Sequence, residues 1–249
     1  MEIIRSRQNE LIKRFTALAS DGKARQEAGE YVCAGQKLLG EAVSSGAEVT
    51  CVLTETPMEG LPCRLVTPAL LQAVSPLKNS PGPVFTVRMR DIPPAETLRR
   101  VIVLENVQDP GNVGTLVRTA EAMGFAGTVI IKGTADPWQP KAVRAAAGSL
   151  LRLPILLLDS AEQALKLLSG AGYRAYTAAM DAELACWDAD LGKKAAVVIG
   201  NEGAGAAPEL KAAATLLAIP MAGKTESLNA AVAGSIIMYE SMHQRKDNK

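Results

Sequence analysis

Short apolar runs alternate with helical stretches along the second half of the chain. The runs, all between residues 101 and 220, are VIVLE, TVIIK, LPILLL, YRAYTA, AAVVIG and TLLAIP. Runs that are apolar at successive positions are typical of strands buried on both faces of a parallel sheet. The segments predicted as helices are NVGTLVRTAEAMGF, KAVRAAAGS, SAEQALKLLSG, PELKAAA and SLNAAVAGSIIMYESM. The pattern therefore predicts an α/β domain whose parallel sheet is covered by helices on both faces.

A smaller α/β module is predicted before this domain. Its helices are NELIKRFTAL and KLLGEAVSSG, and its strands are EYVCAG, VTCVLTE and VFTVRM. The paired prolines of RDIPPAETL, residues 90–98, cannot lie inside a helix or a central strand, so they predict a boundary. We therefore predict domains at residues 1–92 and 98–249.

The overall charge gives no argument for a polyanionic partner, because 27 basic residues face 26 acidic ones. A local excess of basic residues occurs in the first 25 residues, and two interpretations stay open: a basic surface or a solvated helix face. The residues concerned are Arg5, Arg7, Lys13, Arg14, Lys23 and Arg25.

The content of histidine and cysteine restricts the possible chemistry. His243 is the single histidine, and the four cysteines show no Cys-x-x-Cys spacing. These features argue against a metal site and against a histidine-activated nucleophile. No secretory signal and no apolar run of about 20 residues is present, so we expect a cytoplasmic protein without membrane contact.

Three loops that follow predicted strands carry polar residues where parallel sheets usually bind ligands. Each loop has an ordinary structural interpretation: Asn112 as a helix cap with Arg118 as a surface cation, a glycine turn around Glu202, and Ser227 or Glu226 as a helix cap. The recurrence of the pattern in all three loops favours one shared site instead. The loop sequences are ENVQDPGNVG, VVIGNEGAGA and MAGKTESLN.

Two nucleotide motifs are excluded by spacing. Gly223-Lys224-Thr225 resembles a phosphate loop, but Ala218 occupies the position where that motif needs its first glycine. The glycines of the second loop do not follow the Gly-x-Gly-x-x-Gly spacing of a nicotinamide dinucleotide site, which makes that alternative a poor one.

Taken in order, NVQDPGNVGTLVRTAEAMGF, VVIGNEGAGA and IPMAGKTESLNAAVAGSIIMYE resemble the three motifs of the SpoU, or TrmH, family of RNA ribose 2'-O-methyltransferases. The resemblance implies a deep trefoil knot over about residues 195–240, and it gives the small residues of NAAVAGS a role in close chain packing. It also implies that the first domain binds RNA. Ala34-Gly35 and Pro81-Gly82 stand where family members usually read Glu-Gly and Gln-Gly.

The resemblance further implies an S-adenosyl-L-methionine pocket built from residues 177–181, 200–203 and 219–228, without a metal. The residues it assigns to the cofactor are Thr177, Gly200, Asn201, Gly203, Ile219, Met221, Ser227 and Leu228. The residues it assigns to catalysis are Asn112, Arg118, Glu202, Ser227 and Asn229.

The activity implied is methyl transfer to a ribose 2'-hydroxyl of a structured RNA, with ribosomal RNA favoured, by a homodimer packed through the knotted domain. Two alternatives stay open. One is a transfer RNA 2'-O-methyltransferase, and the other is a non-catalytic RNA-binding or ribosome assembly factor.

Overall fold

The computed structural model describes residues 3–77, 82–179, 181–192 and 194–244. The chain divides into two compact units, Met1–Arg90 with Asp136–Arg152 and Asp91–Ala135 with Leu153–Lys249. The proline-rich segment 90–98 thus lies where the first unit gives way to the second. Residues 136–152, which the sequence pattern places in the second domain, pack with the first unit.

The helices and strands of the described residues follow one another along the chain as given next. The strands are β1 (Ile3–Ile4), β2 (Glu30–Ala34), β3 (Val49–Thr54), β4 (Cys63–Val66), β5 (Val84–Arg88), β6 (Val101–Glu105), β7 (Gly127–Ile131), β8 (Ile155–Leu158), β9 (Arg174–Ala178), β10 (Ala195–Ile199) and β11 (Thr215–Leu217). The helices are α1 (Glu10–Ser20), α2 (Gly22–Ala28), α3 (Gln36–Ser44), α4 (Pro68–Val74), α5 (Pro110–Ala122), α6 (Pro140–Ala146), α7 (Ala161–Gly170), α8 (Pro208–Ala213) and α9 (Ala230–His243).

The first unit is a mixed sheet with strand order β1-β4-β3-β5-β2, in which β5 runs antiparallel to both of its neighbours. The apolar stripe of α1 and the buried face of α4 pack on this sheet, with Phe15 and Leu53 fully buried. The predicted helices α1 and α3 and strands β2, β3 and β5 are confirmed. The chain also forms β1, α2, β4 and α4, which the sequence pattern did not predict. Pro81 lies outside the described residues.

Most basic residues of the first 25 are held in ion pairs within the first unit. Arg14 contacts the buried carboxylate of Glu30 at 2.6 Å, and the buried Arg25 contacts Asp136 at 2.5 Å. Lys13 and Lys23 pair with glutamates on their own helices. Within the described ranges only Arg5 and Arg7 of this group are exposed without an ion pair. The group is therefore not a continuous unpaired basic surface.

The second unit is a six-stranded sheet with order β11-β9-β10-β6-β7-β8 over the described residues. Every pair of neighbouring strands is parallel, which confirms the predicted sheet. Helices α7 and α8 cover one face, and α5 and α9 lie on the other. The carboxyl ends of β9, β10, β11 and β6 therefore open at the same edge. The trefoil knot stays a prediction.

Helix α9 packs closely on α5 and β10. A methyl group at Gly234 would lie 2.5 Å from Leu116 on α5 and 3.2 Å from Ile199 on β10, so side chains of both elements fill the space. The hydroxyls of Thr119 and Ser235 also share a hydrogen bond of 3.1 Å between these helices. The small residues of this helix allow the close packing that the sequence predicted, although the neighbours at Gly234 are side chains and not backbone.

The far end of α9 is held by a buried arginine. Arg100, 3% exposed, donates to the carbonyl of Ser241 at 3.1 Å and to the carbonyl of Gly124 at 2.9 Å. Its guanidinium also lies 5.2 Å from the centre of the Phe125 ring. The start of β6 and the end of the last helix are thus joined through one side chain.

Within the described part of the chain, no helix combines the length and the apolar character needed to cross a bilayer. Cys33, Cys51, Cys63 and Cys186 are all buried and unpaired. Burial raises the pKa of the Cys33 thiol, so this side chain behaves as an apolar core residue.

Candidate functional site

The first loop connects β6 to α5 and presents Asn112 in the first turn of the helix. Asp109 is the residue that caps α5, because its Oδ1 accepts from the backbone N–H groups of Gly111 at 2.6 Å and Asn112 at 3.0 Å. Pro110 then occupies a position where no N–H donor is needed. The interpretation of Asn112 as the helix cap is therefore wrong, and its amide is free to bind elsewhere.

The second loop, after β10, is a tight turn closed by Asn201. Asn201 and Gly205 exchange two backbone hydrogen bonds of 2.9 and 3.0 Å. The Asn201 carboxamide oxygen also accepts from the N–H groups of Gly203 at 2.9 Å and Ala204 at 3.1 Å. Gly200 has no room for a side chain, because the backbone of Gly205 and Ala206 occupies that space. The turn leaves Glu202 exposed at its tip.

The third loop runs from β11 to α9, and Asn229 caps the helix. Its Oδ1 accepts from the N–H groups of Ala231 at 2.8 Å and Val232 at 3.3 Å. The expectation that Ser227 or Glu226 caps this helix is wrong, because the helix begins three residues after Ser227, at Ala230.

Hydrogen bonds between side chains join the three loops. The Asn112 Nδ2 donates to Glu202 Oε1 at 2.9 Å, and the Asn229 Nδ2 donates to Asn112 Oδ1 at 3.2 Å. The carboxylate can only accept, so it fixes which end of the Asn112 amide faces it, and the amide oxygen is then turned to Asn229. We call Asn112, Glu202 and Asn229 the amide-carboxylate cluster.

Arg118 and Ser227 lie outside this cluster. Six residues along a helix turn the side-chain direction by about 600°, so Arg118 points about 120° away from Asn112 around α5 and does not share its face. Both Arg118 and Ser227 are exposed, and neither side chain makes a hydrogen bond or an ion pair with another described residue. They are accessible to a ligand.

The residues expected at the cofactor are distributed over the same edge of the sheet. Thr177, at the end of β9, uses its buried hydroxyl to donate to the Val198 carbonyl at 3.1 Å, so its side chain is committed to the sheet. Ile219 and Leu228 are half-buried, and Met221 is 40% exposed. Residue 180, in the expected 177–181 loop, lies outside the described residues.

Sequence reasoning missed Asn106 and Gln108, which stand beside the second loop. Asn106 has a left-handed backbone with φ of 55°, and its carbonyl accepts from the Asn201 Nδ2 at 3.1 Å. Gln108 Nε2 donates to the Asn106 Oδ1 at 2.6 Å and to the carbonyl of Gly133 at 2.7 Å. The available signal was an asparagine directly after a strand, since asparagine tolerates the left-handed conformation.

Comparison with known proteins identifies the fold and the motifs together. Residues 99–239, more than half of the chain, match the SpoU rRNA Methylase family. The chain belongs to the SpoU rRNA methylase family. The family expected from the three motifs is therefore confirmed.

Two relatives of this SpoU family chain are similar to it over nearly their whole length. The Bacillus subtilis 23S rRNA (guanosine(2553)-2'-O)-methyltransferase RlmP is 31% identical over 96% of this chain and 98% of its own length. The Streptomyces viridochromogenes 23S rRNA (uridine(2479)-2'-O)-methyltransferase is 28% identical, covering 95% of this chain and 91% of its own.

Solved SpoU structures share the architecture. The AdoMet-bound rRNA methyltransferase of Sinorhizobium meliloti matches with a TM-score of 0.87 and 27% identity, covering 98% of each chain. The Streptomyces viridochromogenes methyltransferase AviRb in complex with AdoMet matches with a TM-score of 0.84 and 26% identity, covering 96% of this chain and all of that one. S-adenosyl-L-methionine, the expected cofactor, is thus bound in both neighbours.

Proposed function

We propose that this protein transfers the methyl group of S-adenosyl-L-methionine to a ribose 2'-hydroxyl of a structured RNA, with ribosomal RNA as the favoured substrate. The observation that carries the proposal is the amide-carboxylate cluster, which draws one residue from each family motif to the carboxyl edge of the sheet. The named relatives that act on 23S ribosomal RNA support ribosomal over transfer RNA.

The residues around the edge fit the cofactor. Gly200 and Gly203 carry no side chain that would stand between a ligand and the loop backbone, and backbone groups can read the edge of an adenine ring; the Gly203 N–H itself is already donated to Asn201. Ile219, Met221 and Leu228 supply apolar surface for the flat ring. In the described ranges no group of three or more His, Cys, Asp or Glu side chains is placed to hold a metal ion.

The sulfonium of the bound cofactor supplies an already activated methyl group. What the protein adds is alignment, because transfer requires the ribose oxygen in line with the methyl carbon. In our proposal Asn112 and Asn229 present amide groups to the ribose, and Glu202 holds the Asn112 amide in one orientation. Ser227, exposed at the same loop, adds a hydroxyl that can donate or accept. As the oxygen–carbon bond forms, the carbon–sulfur bond would break to leave S-adenosylhomocysteine, and the hydroxyl proton would pass to water at this exposed site.

Arg118 anchors the phosphate next to the target ribose. A guanidinium keeps its proton too firmly to act as a base, but its planar donors match a phosphate with two parallel hydrogen bonds. The side chain is exposed and makes no ion pair with a described residue, so its donors can meet the RNA.

Calorimetric titration with S-adenosyl-L-methionine and S-adenosylhomocysteine tests the proposal first. We expect both to bind with a Kd on the order of 1 μM, which corresponds to about 8 kcal/mol. Radiolabelled methyl transfer to purified ribosomal RNA and, in parallel, to transfer RNA then identifies the substrate class. A folded protein that binds RNA but neither cofactor form would establish the non-catalytic alternative. Methylation of transfer RNA alone would establish the alternative of a transfer RNA 2'-O-methyltransferase.

The first unit would serve RNA binding, as the resemblance implies. Aromatic residues make up 4% of the chain, so base stacking can contribute little and phosphate contacts must carry more of the recognition. Arg5 and Arg7 are the exposed, unpaired cations of the N-terminal group in the described residues. A cytoplasmic location is part of this proposal, since ribosomal RNA is the favoured substrate.

We also propose a homodimer that forms through α9. This helix is apolar on most sides, and such a helix is normally buried all round. Val232 and Tyr239, seven residues apart on one stripe, are 47% and 54% exposed. Ile236 lies between them on the same stripe and is half-buried. A second copy of the chain would cover this surface.

The double substitution Val232→Glu and Tyr239→Glu should convert the dimer to a monomer, because two carboxylates would be desolvated in the interface. Sedimentation velocity at micromolar concentration measures the change. The matched control is Leu157→Glu. Leu157 is 38% exposed and lies on β8, the edge strand of the sheet, whereas α9 packs on the central strand β10. A wild-type monomer, or a dimer that survives both substitutions, contradicts this interface.

A further inference from the structure

We propose that Gln108 and Asn106 are positioning residues that hold the cofactor-binding turn, and with it Glu202, in place. The inference rests on the proposed function, because it assigns to these two side chains the support of the site through Asn201. Neither residue belongs to the amide-carboxylate cluster. They act through three hydrogen bonds that start at the carbonyl of Gly133 and end on the turn.

The first step is the conformation of Asn106. Its left-handed backbone points its carbonyl at the Asn201 carboxamide, where the N···O distance is 3.1 Å. A left-handed conformation costs free energy in any residue with a side chain, so it persists where neighbours stabilise it. Gln108 supplies that stabilisation, because its Nε2 contacts the Asn106 Oδ1 at 2.6 Å.

The second step is the anchor of Gln108 itself. The same Nε2 donates to the carbonyl of Gly133 at 2.7 Å, and Gly133 lies after β7 between Lys132 and Thr134, the two residues of a short bridge. The Nε2 also lies 3.4 Å from the Asn106 carbonyl, so the two hydrogen atoms of the amide are shared among three acceptors. Gln108 therefore ties the loop after β6 to the loop after β7.

The third step carries this support to the site. Asn201 uses both ends of its carboxamide: Nδ2 donates to the Asn106 carbonyl, and Oδ1 accepts from the N–H groups of Gly203 and Ala204. Glu202 lies between these contacts and receives the Asn112 amide. If the Asn106 carbonyl moves, Asn201 loses the hydrogen bond that ties its carboxamide to the loop after β6, and we expect the turn, and Glu202 with it, to shift.

Two substitutions at residue 106 separate positioning from side-chain chemistry. Asn106→Gly keeps the left-handed backbone and its carbonyl, because glycine adopts positive φ readily. Asn106→Val should abolish the left-handed conformation and so turn the carbonyl of residue 106 away from Asn201, because a β-branched residue rarely adopts positive φ. We expect the valine variant to raise the Kd for S-adenosylhomocysteine about tenfold and to lower kcat, whereas the glycine variant stays within about threefold of wild type.

Two substitutions at residue 108 test the donor. Gln108→Glu keeps the shape and removes both N–H groups, and Gln108→Met removes them without adding charge. Both should raise the Kd for S-adenosylhomocysteine about tenfold, with the thermal unfolding midpoint little changed because the residue is exposed. Gln163→Glu is the charge-matched control, since Gln163 only accepts, through Oε1 from the Asp159 N–H, and a glutamate keeps that bond.

The outcomes separate this inference from the proposed function. Wild-type protein that binds no S-adenosylhomocysteine overturns the function itself. Wild-type binding with unchanged Kd and kcat in Gln108→Met and Asn106→Val overturns the positioning role alone. Equal losses in Asn106→Gly and Asn106→Val also overturn it, because the conservative variant would then fail to rescue and the backbone carbonyl would not be what matters.

Discussion

Arg118→Ala should reduce the rate of methyl transfer by about 1,000-fold while the Kd for S-adenosyl-L-methionine changes less than about twofold. The expected difference between the effect on the rate and the effect on the cofactor Kd follows from the position of the side chain. The Arg118 side chain is exposed on α5 and makes no ion pair or hydrogen bond with a described residue, so its removal leaves no unpaired partner behind. Its N–H groups form hydrogen bonds only when the RNA phosphate is bound. Single-turnover kinetics with bound RNA measures the rate, and calorimetry measures the cofactor Kd.

Two further variants make the Arg118 result specific. Arg118→Lys should recover only part of the rate, because an ammonium group cannot make two parallel hydrogen bonds to one phosphate. Arg99→Ala removes another exposed arginine of the second unit and should leave the rate within about twofold of wild type. Equal losses of cofactor affinity and rate in Arg118→Ala would falsify the phosphate role and make the arginine a structural residue of the site.

Gly200→Ala is expected to weaken S-adenosyl-L-methionine binding by about 100-fold. A methyl group at this position would overlap the backbone of Gly205 and Ala206, which cannot move aside as a flexible side chain can. The turn must therefore open, and an overpacked site of this kind costs about 1–3 kcal/mol. Because Asn201 and Glu202 directly follow, the amide-carboxylate cluster would be displaced as well. Calorimetric titration measures the affinity, and circular dichroism checks that the sheet remains.

Gly170→Ala is the matched control for this glycine. It lies at the end of α7, its backbone has no positive φ, and a methyl group there would meet no atom within 4 Å. Alanine should be tolerated or slightly stabilising at that position. If Gly200→Ala binds the cofactor as tightly as Gly170→Ala does, the turn is not part of the cofactor pocket.

The architecture of the second unit could be predicted from the sequence because its central strands are buried on both faces. VIVLE has four apolar residues in succession before its final glutamate, AAVVIG has no polar side chain, and both runs form central strands. Two strands of the first unit could not be predicted. In β4 the exposed Arg64 interrupts a four-residue strand, and β1 is only two residues long, so neither has a pattern long enough to recognise.

The candidate site was predictable in its members but not in its contacts. Asn112, Glu202 and Asn229 were recognised from motifs, whereas the hydrogen bonds between them depend on how the three loops meet in space. The capping residues of α5 and α9 could not be predicted for the same reason. Asp109 and Asn229 each have neighbours in the sequence whose side chains are equally suitable as caps. Asn106 and Gln108 were missed because they are exposed polar residues whose role exists only through Gly133 and Asn201.

The spacing of the cluster along the chain has a consequence during synthesis. The hydrogen bond between Asn112 and Asn229 joins residues 117 positions apart, and the bond between Asn112 and Glu202 joins residues 90 apart. Asn229 also caps the last helix, so it has a fixed position only once that helix has formed. A growing polypeptide therefore carries no complete site until Asn229 has been added and the last helix has formed.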